Sequence, residues 1–125
     1  MPDLSGKVFI ITGGNGGIGL GMAEGIAAAG GSIAVWARNE TKNASAIETL
    51  EKLGATAKTY VCDVSSESMV LETMAETVAD FGKVDGLFAN AGRPGTGTPF
   101  LDLTLEEWQK IMAVNLDGVF LCLRE

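Results

Sequence analysis

The chain has 125 residues, of which 46% are hydrophobic and 20% charged, a balance typical of a single globular domain with its own core. Its formal net charge of -7 argues against a nucleic-acid partner, because such binding depends on clustered cations that neutralise phosphates. The chain has no histidine, and Cys62 and Cys122 do not form a C-x-x-C pair, so we expect no metal site and two reduced cysteines.

The N-terminal segment, residues 1–7, carries an acidic residue and no long apolar run. No segment approaches the ~18 consecutive apolar residues that a membrane-spanning helix requires. We therefore expect a cytoplasmic protein without a membrane partner.

The first predicted element is a buried strand, the apolar run 8–11, which leads directly into a glycine-rich loop. A helical pattern begins beyond Gly19 and continues to the stop at Gly30 and Gly31. Backbone N–H groups and the positive end of the helix dipole are exposed where such a loop opens a helix, and glycine lets a phosphate approach them closely. This arrangement favours binding of a dinucleotide's pyrophosphate over a glycine-rich turn without a ligand.

The glycine spacing fits two patterns. Gly14, Gly16 and Gly19 fit G-x-G-x-x-G, and Gly13, Gly17 and Gly19 fit T-G-x-x-x-G-x-G, in which a threonine closes the strand. Both patterns predict the same kind of ligand.

The rest of the chain repeats the alternation of strand and helix. Further strands are predicted at 32–37, 56–62 and 84–89, and further helices at 41–53, from a cap at Ser65 or Ser66 to Gly82, and from Thr104 onward. Such alternation predicts an α/β fold with a doubly wound parallel sheet of order 3-2-1-4 in one domain, 1–125. Ligands of such sheets bind beyond the carboxyl ends of the strands where the order reverses, here between the first and fourth strands.

Arg38 follows the second strand, where an NAD site commonly carries an acidic residue for the ribose hydroxyls. Neither Ala37 nor Arg38 offers a carboxylate, and an arginine pairs well with a 2′-phosphate. The sequence therefore favours NADP, with NAD as the second possibility. A solvated surface arginine is the alternative interpretation, and Glu40 is near enough to compete for the cation.

Two later strands end in small or polar residues. Asp63 ends the third strand and is interpreted either as an acceptor for an adenine amino group or as a helix or turn cap. Asn90, Ala91 and Gly92 end the fourth strand at the predicted switch point, where small side chains would let the backbone pass close to a cofactor ribose.

Asn115 falls on the predicted apolar stripe of the last helix, where an unpaired amide would cost a few kcal/mol. We therefore expect it to have a partner, which is a backbone group, a buried water or part of a reaction centre.

Five segments together resemble the short-chain dehydrogenase/reductase family. They are T-G-G-N-G-G-I-G at 12–19, A-R-N at 37–39, C-D-V at 62–64, N-A-G at 90–92 and V-N-L-D-G-V-F at 114–120. The resemblance implies a Rossmann-type fold, NAD(P)-dependent hydride transfer between a small-molecule alcohol and a carbonyl, and a homodimer or homotetramer. It also implies that Asn115 holds a water in a proton relay.

Motif and resemblance together identify the expected site residues. The predicted cofactor contacts are Thr12, Gly13, Asn15, Gly16, Gly17, Ile18, Gly19, Arg38, Asp63, Val64, Asn90, Ala91 and Gly92, and the predicted catalytic residue is Asn115.

The chain departs from the family at the acid/base pair, which is a Y-x-x-x-K motif. Its one tyrosine, Tyr60, lies in the third predicted strand with Val64 four positions later. We expect the chain alone to be inactive as a dehydrogenase, and we interpret it as the cofactor-binding N-terminal half of an enzyme, ending within a helix. A catalytically silent dinucleotide-binding module is the alternative, and a methyltransferase is a more distant one.

Overall fold

The computed structural model describes residues 1–125 and contains one four-stranded parallel sheet with the order β3-β2-β1-β4. The strands are β1 Val8–Thr12, β2 Ser32–Ala37, β3 Ala57–Val61 and β4 Gly86–Phe88. The helices are α1 Gly17–Ala28, α2 Glu40–Lys52, α3 Glu67–Phe81, α4 Leu105–Met112 and α5 Gly118–Arg124. The predicted doubly wound order 3-2-1-4 is confirmed.

Successive residues of the central strand point to opposite faces of the sheet, and each face has its own core. Ile10 packs with residues of α3 and α5, whereas Ile11 packs with residues of α1 and α2, and both are fully buried. Two layers of helices therefore cover the sheet, as the uninterrupted apolar sequence of β1 and β2 requires. Both layers leave the carboxyl ends of the strands open.

Polar caps fix where α2 and α3 begin. Asn39 accepts from the backbone N–H of Lys42 at 2.9 Å, and Ser66 accepts from that of Met69 at 3.4 Å. Ser66 is thus the cap of α3, while Ser65 is not. Gly82 ends α3 with φ 82°, a left-handed conformation that glycine adopts without strain.

The predicted fourth strand, 84–89, is too long, because side chains form some of the bonds at both of its ends, although the backbone N–H of Asp85 still donates to the carbonyl of Val8 at 2.8 Å. At the start, Asp85 Oδ2 accepts from the N–H of Val8 at 2.8 Å. At the end, the Asn90 amide donates to the carbonyl of Thr12 at 3.1 Å. Only Gly86–Phe88 remain as regular strand.

Two helix predictions also need correction. Helix α1 begins at Gly17 rather than beyond Gly19, so two glycines of the loop motif lie in its first turn. The final helix is interrupted by a π-helical segment at Ala113–Asp117, and a short 3-10 turn at Phe100–Asp102 precedes it. None of the helices is both long and apolar enough to cross a membrane.

Candidate functional site

A cleft of about 680 Å³ opens at the carboxyl ends of the strands, around the predicted switch point. Segments that follow all four strands contribute to its wall. The residues that line it are Gly13, Asn15, Gly16, Gly17, Trp36, Ala37, Arg38, Asn39, Lys42, Cys62, Asp63, Val64, Asn90, Ala91, Gly92 and Val114. Ten of the predicted site residues therefore meet in one cleft.

The first turn of α1 is open to the cleft. Its N-cap, Gly16, supplies no side chain to the free N–H groups, and the turn contains no acidic residue. Gly17 has φ 53°, and no atom lies within 4 Å of the position that a Cβ would take. This turn therefore combines unpaired donors, the positive end of a helix dipole and open space, which is what an anion requires.

Gly19 has a different function from Gly17. A Cβ at Gly19 would lie 2.3 Å from the carbonyl oxygen of Gly13 and 2.5 Å from Nδ2 of Asn90. Gly19 therefore lets α1 pack against the glycine-rich loop and the end of β4, and it does not itself line the cleft.

Thr12 and Asn90 join the two strands that meet at the switch point. Thr12 Oγ1 accepts from the N–H of Ala91 at 2.9 Å, and Asn90 Nδ2 donates to the carbonyl oxygens of Thr12 and Gly13 at 3.1 and 3.4 Å. Thr12 is 1% exposed, so it supports the cleft wall from beneath. Ile18, by contrast, is 76% exposed and lies outside the wall.

The rim after β2 is positively charged. Arg38 and Lys42 are exposed and line the cleft, and neither forms an ion pair. Glu40, the expected competitor for Arg38, does not line the cleft. In a chain of net charge -7, two free cations at one rim make a local site for an anion.

Asp63 follows β3, the neighbour of β2 in the sheet, lines the cleft, and caps a turn. Its Oδ1 accepts from the N–H and the hydroxyl of Ser65 at 3.0 and 2.6 Å. These bonds hold the pKa of the Asp63 carboxyl below its usual range, and the charge of Arg38 lowers the pKa further. The turn interpretation therefore accounts for one carboxylate oxygen and leaves the other available.

Asn115 lies in the π-helical segment, outside the cleft wall. The expectation that it is buried on an apolar face is wrong, since Asn115 is exposed. It does have a backbone partner: Oδ1 accepts from the N–H of Arg93 at 2.7 Å, and Nδ2 donates to the carbonyl of Arg93 at 2.9 Å. Asn115 thereby fixes the segment that follows the N-A-G turn.

Tyr60 is remote from this chemistry. Its hydroxyl donates to Asp80 at 2.7 Å, and Asp80 also pairs with Lys58 at 2.9 Å. Burial and the bond to Asp80 raise the pKa of Tyr60, so the phenol stays protonated near neutral pH.

Sequence reasoning missed three polar residues of this region. Asn39 and Lys42 line the cleft, and Asn43 holds Asn15 from beneath by a hydrogen bond of 2.9 Å. Only Lys42 had a signal in the sequence, because it lies in the first turn of the helix that begins two residues after Arg38.

The sequence matches the protein family described as short chain dehydrogenase over residues 7–125. The chain belongs to the short-chain dehydrogenase family. The resemblance stated from the five motifs is thus confirmed.

Individual members of the short-chain dehydrogenase family are similar over nearly the whole chain. A 2,5-dichloro-2,5-cyclohexadiene-1,4-diol dehydrogenase of Sphingobium indicum is 37% identical over 99% of this chain and 48% of its own length. An NADP-dependent mannitol dehydrogenase of Alternaria alternata is 38% identical over 98% of this chain and 47% of its own length. The solved structure of NAD+-bound xylitol dehydrogenase superposes with a TM-score of 0.93 at 37% identity, over 97% of this chain and 46% of that one. The chain thus spans about half the length of these relatives.

Proposed function

We propose that the chain is the cofactor-binding half of an NADP-dependent oxidoreductase that transfers hydride between a small alcohol and the corresponding carbonyl compound. The observation that carries the proposal is the cleft itself. The first turn of α1 offers an anion site made of backbone N–H groups alone. The rim after β2 offers two cations without ion pairs, Arg38 and Lys42. A dinucleotide with a pyrophosphate and a 2′-phosphate presents two anionic groups of this kind.

The pyrophosphate would lie at the first turn of α1. Gly16 and Gly17 leave the backbone N–H groups accessible, and the position of a Gly17 Cβ is open. These donors act without a competing acidic side chain. They would hold the cofactor in one orientation, so that its nicotinamide ring extends toward β4.

The 2′-phosphate would lie at the rim after β2. Arg38 and Lys42 have no ion-pair partner, and Ala37 offers no carboxylate to the hydroxyls of NAD. Both cofactors occur among the similar proteins, since the mannitol dehydrogenase is NADP-dependent and the xylitol dehydrogenase was solved with NAD+. The cationic rim favours NADP for this chain.

The bound cofactor would supply or accept the hydride, and the residues of this chain bind and orient it. Asn90, Ala91 and Gly92 form the wall beside β4, and Asn115 holds the backbone that follows them. Asn115 therefore stays a predicted member of the reaction centre. Tyr60 is excluded as its proton donor by its position and by its bond to Asp80.

The relatives named above act on a cyclohexadiene diol, mannitol and xylitol. We accordingly propose a small polyhydroxylated alcohol, or the carbonyl compound made from it, as the substrate class. A homo-oligomeric state and a cytoplasmic location also stay predictions.

Calorimetric titration of the chain with NADPH, NADH and S-adenosylmethionine tests the proposal. We expect saturable binding of NADPH, weaker binding of NADH and none of S-adenosylmethionine. Preference for S-adenosylmethionine would favour a methyltransferase instead, and absence of binding to either dinucleotide would contradict the proposal.

A further inference from the structure

Asn43 is a polar residue of α2 with only 3% of its surface exposed. Both ends of its amide are used. Nδ2 donates to the carbonyl oxygen of Ala37 at 3.0 Å, and Oδ1 accepts from Nδ2 of Asn15 at 2.9 Å. One buried amide thus joins α2 to the end of β2 and to the glycine-rich loop, 28 positions earlier in the chain.

These two bonds fix the orientation of both amides. A carbonyl oxygen only accepts, so Asn43 must present Nδ2 to Ala37 and therefore Oδ1 to Asn15. Asn15 must then present its own Nδ2 to Asn43, and its Oδ1 has no partner within the chain. Asn15 lines the cleft, whereas Asn43 does not. A hydrogen-bond acceptor of fixed orientation is therefore available to a hydroxyl group in the cleft.

Asn43 is also linked through the backbone to Arg38 and Lys42, the two cations of the rim. Its partner Ala37 immediately precedes Arg38, and Lys42 is its own neighbour in α2. The amide therefore sets the separation between the glycine-rich loop, which would take the pyrophosphate, and the rim, which would take the 2′-phosphate.

We propose that Asn43 is a positioning residue for the dinucleotide: it fixes the glycine-rich loop against the end of β2 and orients Oδ1 of Asn15 to accept from a ribose hydroxyl of the adenosine half. This inference rests on the proposed function. It assigns a role in binding to a residue that does not touch the ligand.

A double-mutant cycle on NADPH affinity tests it. Asn43→Leu keeps the branched shape of the side chain and removes both hydrogen bonds, and Asn15→Ala removes the acceptor. We expect each change to weaken NADPH binding roughly five- to tenfold, as for loss of one or two hydrogen bonds, and the double variant to bind no more weakly than either single one. Thr49→Val is the matched control, because it removes a hydrogen bond of α2 outside the cleft and should leave the affinity unchanged.

Thermal unfolding of each variant separates positioning from stability. The inference is wrong if Asn43→Leu lowers NADPH affinity only in proportion to the loss of folded chain. It is also wrong if the losses of affinity in Asn43→Leu and Asn15→Ala add up in the double variant. If Asn43→Leu does not fold, Asn15→Ala alone decides, since normal NADPH affinity in that variant overturns the inference. If the unmutated chain does not bind NADPH, the proposed function is overturned as well. All other outcomes leave the proposed function intact, because in them the unmutated chain binds NADPH.

Discussion

Arg38 is the residue on which cofactor choice should depend most, because it is exposed at the cleft rim and forms no ion pair. We predict that Arg38→Ala weakens NADPH binding by roughly 1–3 kcal/mol, the scale of a charge-assisted hydrogen bond, and leaves NADH binding nearly unchanged. Lys52→Ala, which removes an equal charge from the far end of α2, is the control. Equal losses for both cofactors, or an unmutated chain that prefers NADH, would refute a 2′-phosphate contact.

Gly17 gives a second test at the same scale. A valine there would project into the open space beside the first turn of α1, and its φ of 53° is unfavourable for a branched residue. We predict that Gly17→Val abolishes dinucleotide binding while the circular dichroism spectrum stays close to that of the unmutated chain. Gly21→Ala, on the same helix with nothing within 4 Å, should bind normally and be more stable by up to about 1 kcal/mol. Normal binding by the valine variant would mean that the phosphate lies elsewhere.

At the scale of the elements, β4 depends on Asp85, which accepts from the N–H of Val8 and pairs with Lys7 and Lys83. The bond from Val8 is the largest cause that lowers the pKa of Asp85, followed by the bond from Lys83. The folded chain therefore holds this proton less readily than the unfolded chain. Its contribution to stability is complete above the ordinary aspartate pKa of 3.8 and is lost as pH falls through the lower, folded value.

We therefore predict that Asp85→Asn lowers the unfolding temperature at neutral pH and that the difference from the unmutated chain shrinks as the pH falls below about 4. Asp102→Asn, a carboxylate without an ion pair, is the control and should shift stability little at any pH. A difference that stays constant down to acidic pH would show that Asp85 acts through something other than its charge.

The elements that sequence reasoning located best are those whose pattern is local. The predicted strand 32–37 has the same bounds as β2. A short, mostly apolar run between a glycine and an arginine is typical of a buried strand, so its ends were easy to place. The ends of β4 and the exposure of Asn115 were not predictable in this way. The start of β4 depends on Val8, 77 positions away, and Asn115 bonds to Arg93, 22 positions away, so these partners become neighbours only in the folded chain.

The same distinction holds for the cleft. Gly17 and Arg38 follow from spacing, because a phosphate site needs exposed N–H groups and a cation at known offsets from the strands. Asn43 gave no signal, since a buried asparagine in a helix is unremarkable until its partners Ala37 and Asn15 are known.

At the scale of the whole molecule, α4 and α5 carry exposed apolar side chains. Trp108 is 47%, Phe120 57% and Leu123 65% exposed, and β4 has a neighbour on only one side. Exposed apolar surface of this kind, beside an open strand edge, promotes association. We predict that the chain elutes from a sizing column above its mass of 13.0 kDa and binds a hydrophobic dye.

Phe120→Lys should shift the elution toward the monomer. Leu53→Lys, at an exposed apolar position after α2, is the control and should not change the elution. A sharp monomer peak for the unmutated chain would contradict the prediction.

The chain should also fail to oxidise any alcohol, because it lacks a Y-x-x-x-K motif and its one tyrosine is bound to Asp80. We predict no production of NADPH from NADP with mannitol, xylitol or other polyols, even at concentrations that saturate dinucleotide binding. Turnover above the background rate would mean that these 125 residues contain a general base that accepts the proton of the alcohol.

The bond between Thr12 Oγ1 and the N–H of Ala91 joins positions 79 residues apart. Closing a loop of that length costs more entropy than pairing β1 with β2, so the contacts that complete the cleft should form late in folding. During synthesis at roughly 5–20 residues per second, Ala91 is added roughly 4–16 s after Thr12. Throughout that interval the β4 side of β1 has no strand to pair with, so the nascent chain is most exposed to misassociation before its ligand site exists.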